Sequence, residues 1–240
     1  MELRWWSTAR NAERVGRVAS EIAAAGGSVA SALGDLATDE GADAVADAAL
    51  EAFGGIDILV NNAGGPSEEE AKSWLQVPLV EWAKTYQSNV IAAGRLIHRC
   101  APAMKQRGWG RIIQISSMAG TIPTSAQPDY GPSKAAMLNM SLGLSKALAG
   151  SGVTVNTVSP GMIRTPGLDD FLRLFARKRG WAEDTAKAAE YILKGTGQTV
   201  HRIGEVEDVA QAVAWLASPL SDFVNGINIH MDGGASSNIY

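Results

Sequence analysis

The stretch from Ala42 to Val60, ADAVADAALEAFGGIDILV, decides the fold. Ala42, Val45, Ala46, Ala49, Leu50 and Phe53 recur at the spacing of one helix face, and Ile56 to Val60 follows as a continuous buried strand. A helix with one apolar stripe leading into a strand apolar on both faces is the pattern of a parallel sheet covered by helices. Ser28 to Leu33, upstream, reads as the partner strand, and the three segments make one βαβ unit.

Working outward, the same unit recurs. Before Ser28, Asn11 can cap a helix whose positions Val15, Val18, Ala19 and Ile22 fall at helical spacing, with Gly26-Gly27 ending it. A short run opens the chain ahead of that helix. Downstream, the spacing predicts a long helix over about 89–106, a strand over 111–116, a helix over about 130–148 and a strand over 153–158. A helix over 205–217 and the run Ile227 to Met231 complete the alternation, while 166–203 reads as a long, partly helical insertion after a strand. The expected fold class is α/β, a Rossmann-type three-layer αβα sandwich with a mostly parallel sheet, built as one domain over residues 1–240.

Composition narrows the function classes. The chain has 240 residues and a formal net charge of −4, and it carries no basic tract interleaved with aromatics, so a small-molecule partner is expected rather than nucleic acid. Cys100 is the single cysteine, which leaves neither an internal disulfide nor a cysteine metal cluster to expect. His98, His201 and His230 are widely separated, and no metal site is expected from them. No apolar run approaches the roughly 18 residues needed to span a bilayer, and no charged-then-apolar leader opens the chain, so a cytoplasmic protein without a membrane partner is expected.

In open α/β sheets ligands sit beyond the carboxyl ends of the strands. Those positions hold Gly34-Asp35-Leu36, Asn61-Asn62-Ala63-Gly64-Gly65, Ser116-Ser117 and Ser159-Pro160-Gly161-Met162-Ile163. Asn62 to Gly65 combine an amide with a backbone that a flat ligand can approach closely. The sharpest feature is Tyr130-Gly131-Pro132-Ser133-Lys134, because residues four apart near a helix start put a phenol and an ammonium on one face. A nearby cation favours the phenolate and would bring Tyr130 toward the range of a useful acid or base. Ser117, thirteen residues upstream at a strand end, could hold a carbonyl or alcohol oxygen for that tyrosine.

In order and spacing, Asn62-Ala63-Gly64, Ser117, Tyr130-x-x-x-Lys134 and Pro160-Gly161 resemble the classical short-chain dehydrogenase/reductase family over nearly the whole chain. The resemblance implies an oxidoreductase moving a hydride between NADP(H) and a secondary alcohol or carbonyl compound. It implies that Tyr130 is the general acid/base, that Lys134 lowers its pKa and binds the nicotinamide ribose, that Ser117 positions the reacting oxygen, and that Asn89 anchors a proton-relay water. It further implies cofactor contacts at Asp35, Leu36, Asn62, Ala63, Gly64, Pro160, Gly161, Ile163 and Thr165. Asp232-Gly233-Gly234 looks like the family's closing segment.

One departure accompanies these agreements. Members of the family open with a strand and a glycine-rich turn that binds the cofactor pyrophosphate at a helix N-terminus. Here Met1 to Asn11 align with the family's second strand and the turn after it, so the resemblance implies that the first strand and helix are missing. Two explanations are open: a sequence begun late, or a natural chain that has lost full cofactor binding. The second makes a catalytically silent binding or assembly protein the alternative function. At the end of the opening strand, Ala9 stands where an acidic residue would receive the ribose hydroxyls, and the adjacent Arg10 can pair with a 2′-phosphate, which favours NADP while leaving NAD open.

The insertion at 166–203 is expected to act as a substrate lid. Leu168, Phe171, Leu172, Leu174, Phe175, Trp181, Tyr191, Ile192 and Leu193 suit a largely apolar alcohol or ketone, although several must simply dock the lid. Arg173, Arg177, Lys178 and Arg179 could attract an acidic substrate or form a solvated face, and Gly195 and Gly197 would permit hinge motion. The apolar surplus on the helix around 130–148 points to a symmetric homo-oligomer, and the resemblance implies a homodimer or homotetramer formed through this helix and the one around 89–106.

Overall fold

A computed structural model describes residues 4–66, 74–123, 125 and 127–236. The chain opens on strand β1 (Arg4–Ala9) and helix α1 (Ala12–Ala24), followed by β2 (Ser28–Leu33), α2 (Asp39–Phe53) and β3 (Ile58–Asn61). Helix α3 (Leu79–Tyr86) runs through a π-helical turn, Gln87–Ile91, into α4 (Ala92–Arg107), and β4 (Gly110–Ile115) follows. Then come α5 (Tyr130–Ala147), β5 (Val153–Pro160), α6 (Pro166–Lys178), α7 (Thr185–Thr196), α8 (Val206–Ala217) and β6 (Asn228–Met231).

Local chemistry sets these boundaries. Asn11 accepts from the Arg14 N–H at 3.0 Å and Thr38 from the Gly41 N–H at 3.1 Å, so α1 and α2 begin at side-chain caps. Gly54 and Gly108 end α2 and α4 with φ of 72° and 73°, a left-handed conformation that glycine adopts without strain.

The expectation of a missing first strand and helix is not supported, since β1 and α1 open the chain. Every residue of β1 has a partner in β2, from Arg4 opposite Ser28 to Ala9 opposite Leu33. The departure from one continuous sheet lies elsewhere. β1 and β2 form a two-stranded parallel sheet, β3, β4, β5 and β6 form a four-stranded parallel sheet in that order, and no strand ladder joins the two among the described residues. A shared core binds them instead. Leu36, Ala42 and Val45 beside β2 pack with Leu59, Leu96, Ile112 and Val155 in one buried cluster, and α2 packs against both β2 and α4.

The long helix expected from Asn89 is interrupted at its start by the π-helical turn, a feature that often marks functional sites. The 166–203 insertion forms α6 and α7, whose Leu172, Ala176 and Ala188 make a separate apolar cluster with Ile203. Its stem is clipped shut: Ile163 bridges to Gly204, and the Arg164 N–H donates to the Gly204 carbonyl at 2.8 Å. Among the described residues no helix is long and apolar enough to cross a membrane.

Candidate active site

Because the strands of the described residues all lie in parallel pairings, their carboxyl ends gather the loops that carry polar residues. Ser117 lies two residues beyond the end of β4 and caps a short helical turn, accepting from the Ala119 N–H at 3.2 Å. Tyr130 begins α5 and is hydrogen-bonded to the Ser117 side chain. One helical turn on, the Lys134 Nζ lies 5.7 Å from the centre of the Tyr130 ring. Serine, tyrosine and lysine therefore meet at one sheet edge, as the spacing predicts.

The electrostatics differ from the sequence expectation. Burial pushes the Tyr130 phenol above its ordinary pKa, and the hydrogen bond from Ser117 acts in the opposite direction. Burial also brings the Lys134 ammonium down to about 8. Lys134 is not among the influences on the phenol in this arrangement, for a geometric reason. Lys134 Nζ is turned onto the Ile115 carbonyl at 2.9 Å and the Met137 sulfur at 3.5 Å rather than onto the phenol oxygen.

Asn89, in the π-helical turn, is fully buried and makes three amide hydrogen bonds toward this centre. Its Oδ1 accepts from the Gly65 N–H at 2.8 Å, and its Nδ2 donates to the Gly65 carbonyl at 3.1 Å and to Ser133 Oγ at 2.9 Å. Ser133 in turn donates to the Tyr130 carbonyl at 2.7 Å. Asn89 thus clamps the loop after β3 to the first turn of α5. Gly65 and Ser133 lie within stretches quoted from the sequence, but their tie to Asn89 was not expected, although Ser133 lies three residues after Tyr130 on a helix and so shares its face. A second tie was equally silent in the sequence: Thr85 donates to the carboxylate of Asp129, both buried, just before Tyr130.

The remaining candidates divide. Asn62, Ala63 and Gly64 lie exposed beyond β3, and a Cβ on Gly64, whose φ is 128°, would overlap Asn89 Oδ1. Pro160 and Gly161 lie at the end of β5, where a Cβ on Gly161 would come within 2.8 Å of the Asp232 Cα. Asp35 and Arg10 are exposed at the ends of β2 and β1. Leu36 is instead built into the core. Ile163 belongs to the stem of the insertion, and the Thr165 hydroxyl caps α6 by accepting from the Leu168 N–H at 3.2 Å.

The residues fit the nicotinamide half of a dinucleotide cofactor. Gly64 forms a floor that no side chain could occupy, and Lys134 has three ammonium hydrogens with two acceptors engaged. The turn from β1 to α1 does not fit a pyrophosphate in the same way. It reads Arg10-Asn11 without glycine, and Asn11 already fills the helix N-terminus.

The chain belongs to the short-chain dehydrogenase/reductase family: the family model described as enoyl-(acyl carrier protein) reductase matches residues 4–236. Members of the family are NAD(P)-dependent oxidoreductases of alcohol and carbonyl groups. The chain is 31% identical over 200 residues to a 3-oxoacyl-(acyl-carrier-protein) reductase of Vibrio cholerae, covering 83% of this chain and 75% of that protein. It is 34% identical over 182 residues to a D-beta-hydroxybutyrate dehydrogenase of Rhizobium meliloti, covering 76% of this chain and 68% of the relative. In structure it resembles the L-sorbose reductase of Gluconobacter frateurii, solved with NADPH and L-sorbose, with a TM-score of 0.91, 28% identity, and coverage of 98% of this chain and 88% of that one.

Proposed function

We propose that the protein transfers a hydride between NADP(H) and a secondary alcohol or carbonyl compound, with Tyr130 as the proton donor and acceptor. The observation that carries this reading is the meeting of Ser117 and Tyr130 by a hydrogen bond, with the Lys134 ammonium one helical turn away. The nicotinamide, when bound, supplies or accepts the hydride. Tyr130 delivers its phenolic proton to the carbonyl oxygen during reduction and takes the hydroxyl proton during oxidation. Ser117 donates to the same oxygen and holds it in place. Lys134, swung from the Ile115 carbonyl, holds the nicotinamide ribose and lowers the cost of the phenolate. Asn89 keeps the loop at Gly65 and the start of α5 in register, and offers the site at which a relay water is held.

In this reading Asn62, Ala63, Gly64, Pro160 and Gly161 line the nicotinamide end, and Asp35 lies beside the adenine. Arg10 selects NADP by pairing with the 2′-phosphate. Helices α6 and α7 form the substrate lid, whose exposed Phe171 and Leu174 suit a largely apolar substrate. Half-exposed Leu142 on α5 belongs to the face on which two copies associate into a homodimer or homotetramer.

A second reading, a catalytically silent relative that binds or assembles, is favoured by one observation: the β1–α1 turn lacks glycine and its helix end is self-capped. One experiment separates the two. Purified chain is titrated calorimetrically with NADPH and NADH, then assayed with a 3-oxoacyl thioester, a 3-hydroxy acid and a keto sugar beside Tyr130→Phe. Binding of NADPH ahead of NADH with turnover lost in Tyr130→Phe supports the enzyme. Absence of both binding and turnover overturns it in favour of the silent relative.

A further inference from the structure

The chain leaving β6 folds back on itself over 232–236, and one buried side chain organises the turn. Asp232 is 4% exposed. Its carboxylate accepts from the Gly234 N–H at 3.0 Å, from the Ser236 N–H at 3.1 Å and from the Ser236 hydroxyl. Because the Ser236 proton is spent on Asp232, the Ser236 oxygen faces His230 Nδ1, 3.0 Å away, as an acceptor, and Nδ1 carries the ring proton. His230 Nε2 is then the bare nitrogen and accepts from Asn228 Nδ2 at 3.2 Å. Asn228 Oδ1 in turn takes the Ser159 hydroxyl at 2.7 Å. A chain of side chains thus ties the carboxylate back to β6 and β5.

The turn has two neighbours. On one side it meets the end of β5: the Gly161 N–H donates to the Met231 carbonyl at 3.0 Å, and Gly161 lies so close to Asp232 that no side chain fits between them. On the other side it meets the segment leaving α7. The Gly233 carbonyl accepts from the Thr199 N–H at 3.0 Å, the Val200 N–H at 2.9 Å and the Thr199 hydroxyl at 3.0 Å. Gln198 closes that segment on itself, donating to the Val200 and Arg202 carbonyls at 2.5 and 2.6 Å. The exit of the 166–203 insertion is therefore held at two points, by the clip at Gly204 and by the carbonyl of Gly233.

We infer that Asp232 is a positioning residue for the reaction: by fixing the 232–236 turn it sets the exit of the insertion, at Thr199 and Val200, against Gly161. The inference rests on the reading of α6 and α7 as a substrate lid and of Gly161 as part of the nicotinamide end. Asp232 itself touches neither substrate nor cofactor in it. A carboxylate suits the place because three donors converge there, and it offers about four lone-pair sites where an amide oxygen offers two. Without it two backbone N–H groups and a hydroxyl lose their partner, the turn opens, and the Gly233 carbonyl no longer meets Thr199 and Val200. The closed position of the lid is then less populated, so substrate binds more weakly, while proton transfer at Tyr130 on α5 proceeds as before.

The test is amide hydrogen–deuterium exchange on the purified chain, read by mass spectrometry over 194–204 and over 130–147, in wild type, Asp232→Ala, Ser236→Ala and Ser236→Thr. Asp232→Ala should speed exchange at Thr199 and Val200 about tenfold or more while 130–147 keeps its protection. Ser236→Ala removes one of the three donors, so its effect on 194–204 should be smaller, and Ser236→Thr should restore the wild-type rate. In the steady state Asp232→Ala should raise the substrate KM severalfold with kcat within about twofold of wild type. Unchanged exchange over 194–204 overturns the inference, and so does acceleration shared equally by 130–147, which marks a general loss of stability. If circular dichroism shows that Asp232→Ala does not fold, Ser236→Ala decides alone on the same two peptides. Local opening in a chain that turns over no substrate counts against the oxidoreductase reading alone, whereas turnover with KM unchanged in Asp232→Ala counts against the inference alone.

Discussion

The Asn89 amide and the Ser133 hydroxyl, distant in sequence, are joined by a hydrogen bond of 2.9 Å that ties the π-helical turn to the first turn of α5. Ser133 is also the donor to the Tyr130 carbonyl, so one hydroxyl connects the asparagine to the backbone of the candidate acid/base.

Ser133→Ala removes that connection while leaving Asn89 its two bonds to Gly65. One Asn89 N–H then loses its buried partner, which should cost about 1 to 3 kcal/mol. Urea unfolding should show the loss as a lower midpoint at unchanged slope. Turnover should fall more than substrate affinity, since the residue displaced is Tyr130. An unchanged midpoint would mean that the hydroxyl is not part of the clamp.

Lys134 opposes stability for the sake of the site. Its folded-state pKa of about 8 lies below the ordinary 10.5, so the folded protein binds fewer protons than the unfolded chain between those values. Stability therefore rises with pH from about 8 toward 10.5, and below 8 the full penalty of burying the charge is present. Lys134→Met should abolish turnover yet stabilise the protein at pH 7 by about 2 kcal/mol, an advantage that shrinks as pH approaches 9.5. Thermal melts of both proteins between pH 7 and 9.5 check this. A variant less stable than wild type at pH 7 would show that the bonds to Ile115 and Met137 outweigh the desolvation.

How much of this was legible follows from what each residue's neighbours in sequence reveal. Helix α2 could be read because six apolar residues repeat on one face. Ser117, Tyr130 and Lys134 could be read because spacing alone places them at a strand end and on one helix face. The clamp that Asn89 makes from the π-helical turn could not, since its partners Gly65 and Ser133 are remote in sequence. Leu36 looked like a residue flanking a ligand because it follows a strand, but its side chain fills the core between α2 and α4. Thr165 carries the ordinary signature of a helix cap just before Pro166, and that is the bond it makes. The separation of β1–β2 from β3–β6 is a pairing property that no single segment encodes.

The buried hydroxyl-to-carboxylate bond from Thr85 to Asp129 is the other tie that positions Tyr130. Thr85→Val keeps the shape and removes the donor, leaving a buried carboxylate short of a partner. A loss of about 2 to 3 kcal/mol is expected, measured by chemical denaturation. Adding Asp129→Leu should recover part of it, because an apolar pair has nothing left to satisfy. If the double variant were no better than Thr85→Val, the cost would lie in packing rather than in the unpaired carboxylate.

The chemistry itself is tested by the titration of Tyr130. Burial raises its pKa and the Ser117 hydrogen bond lowers it, so the two act with opposite sign on the same phenol. In the protein alone, the tyrosinate absorbance that Tyr130→Phe removes should develop only above pH 10, and in Ser117→Ala it should move to still higher pH. With NADP bound and Lys134 turned toward the phenol, alcohol oxidation should rise with pH through a lower apparent pKa than the phenol shows in the protein alone. Ser117→Ala should then shift that limb upward and reduce turnover about a hundredfold, since the reacting oxygen also loses its donor. Tyr130→Phe should leave NADP affinity little changed and remove nearly all turnover, which identifies a loss of proton transfer rather than of binding. A Tyr130→Phe enzyme that kept a substantial fraction of turnover with the same pH limb would place the acid/base elsewhere.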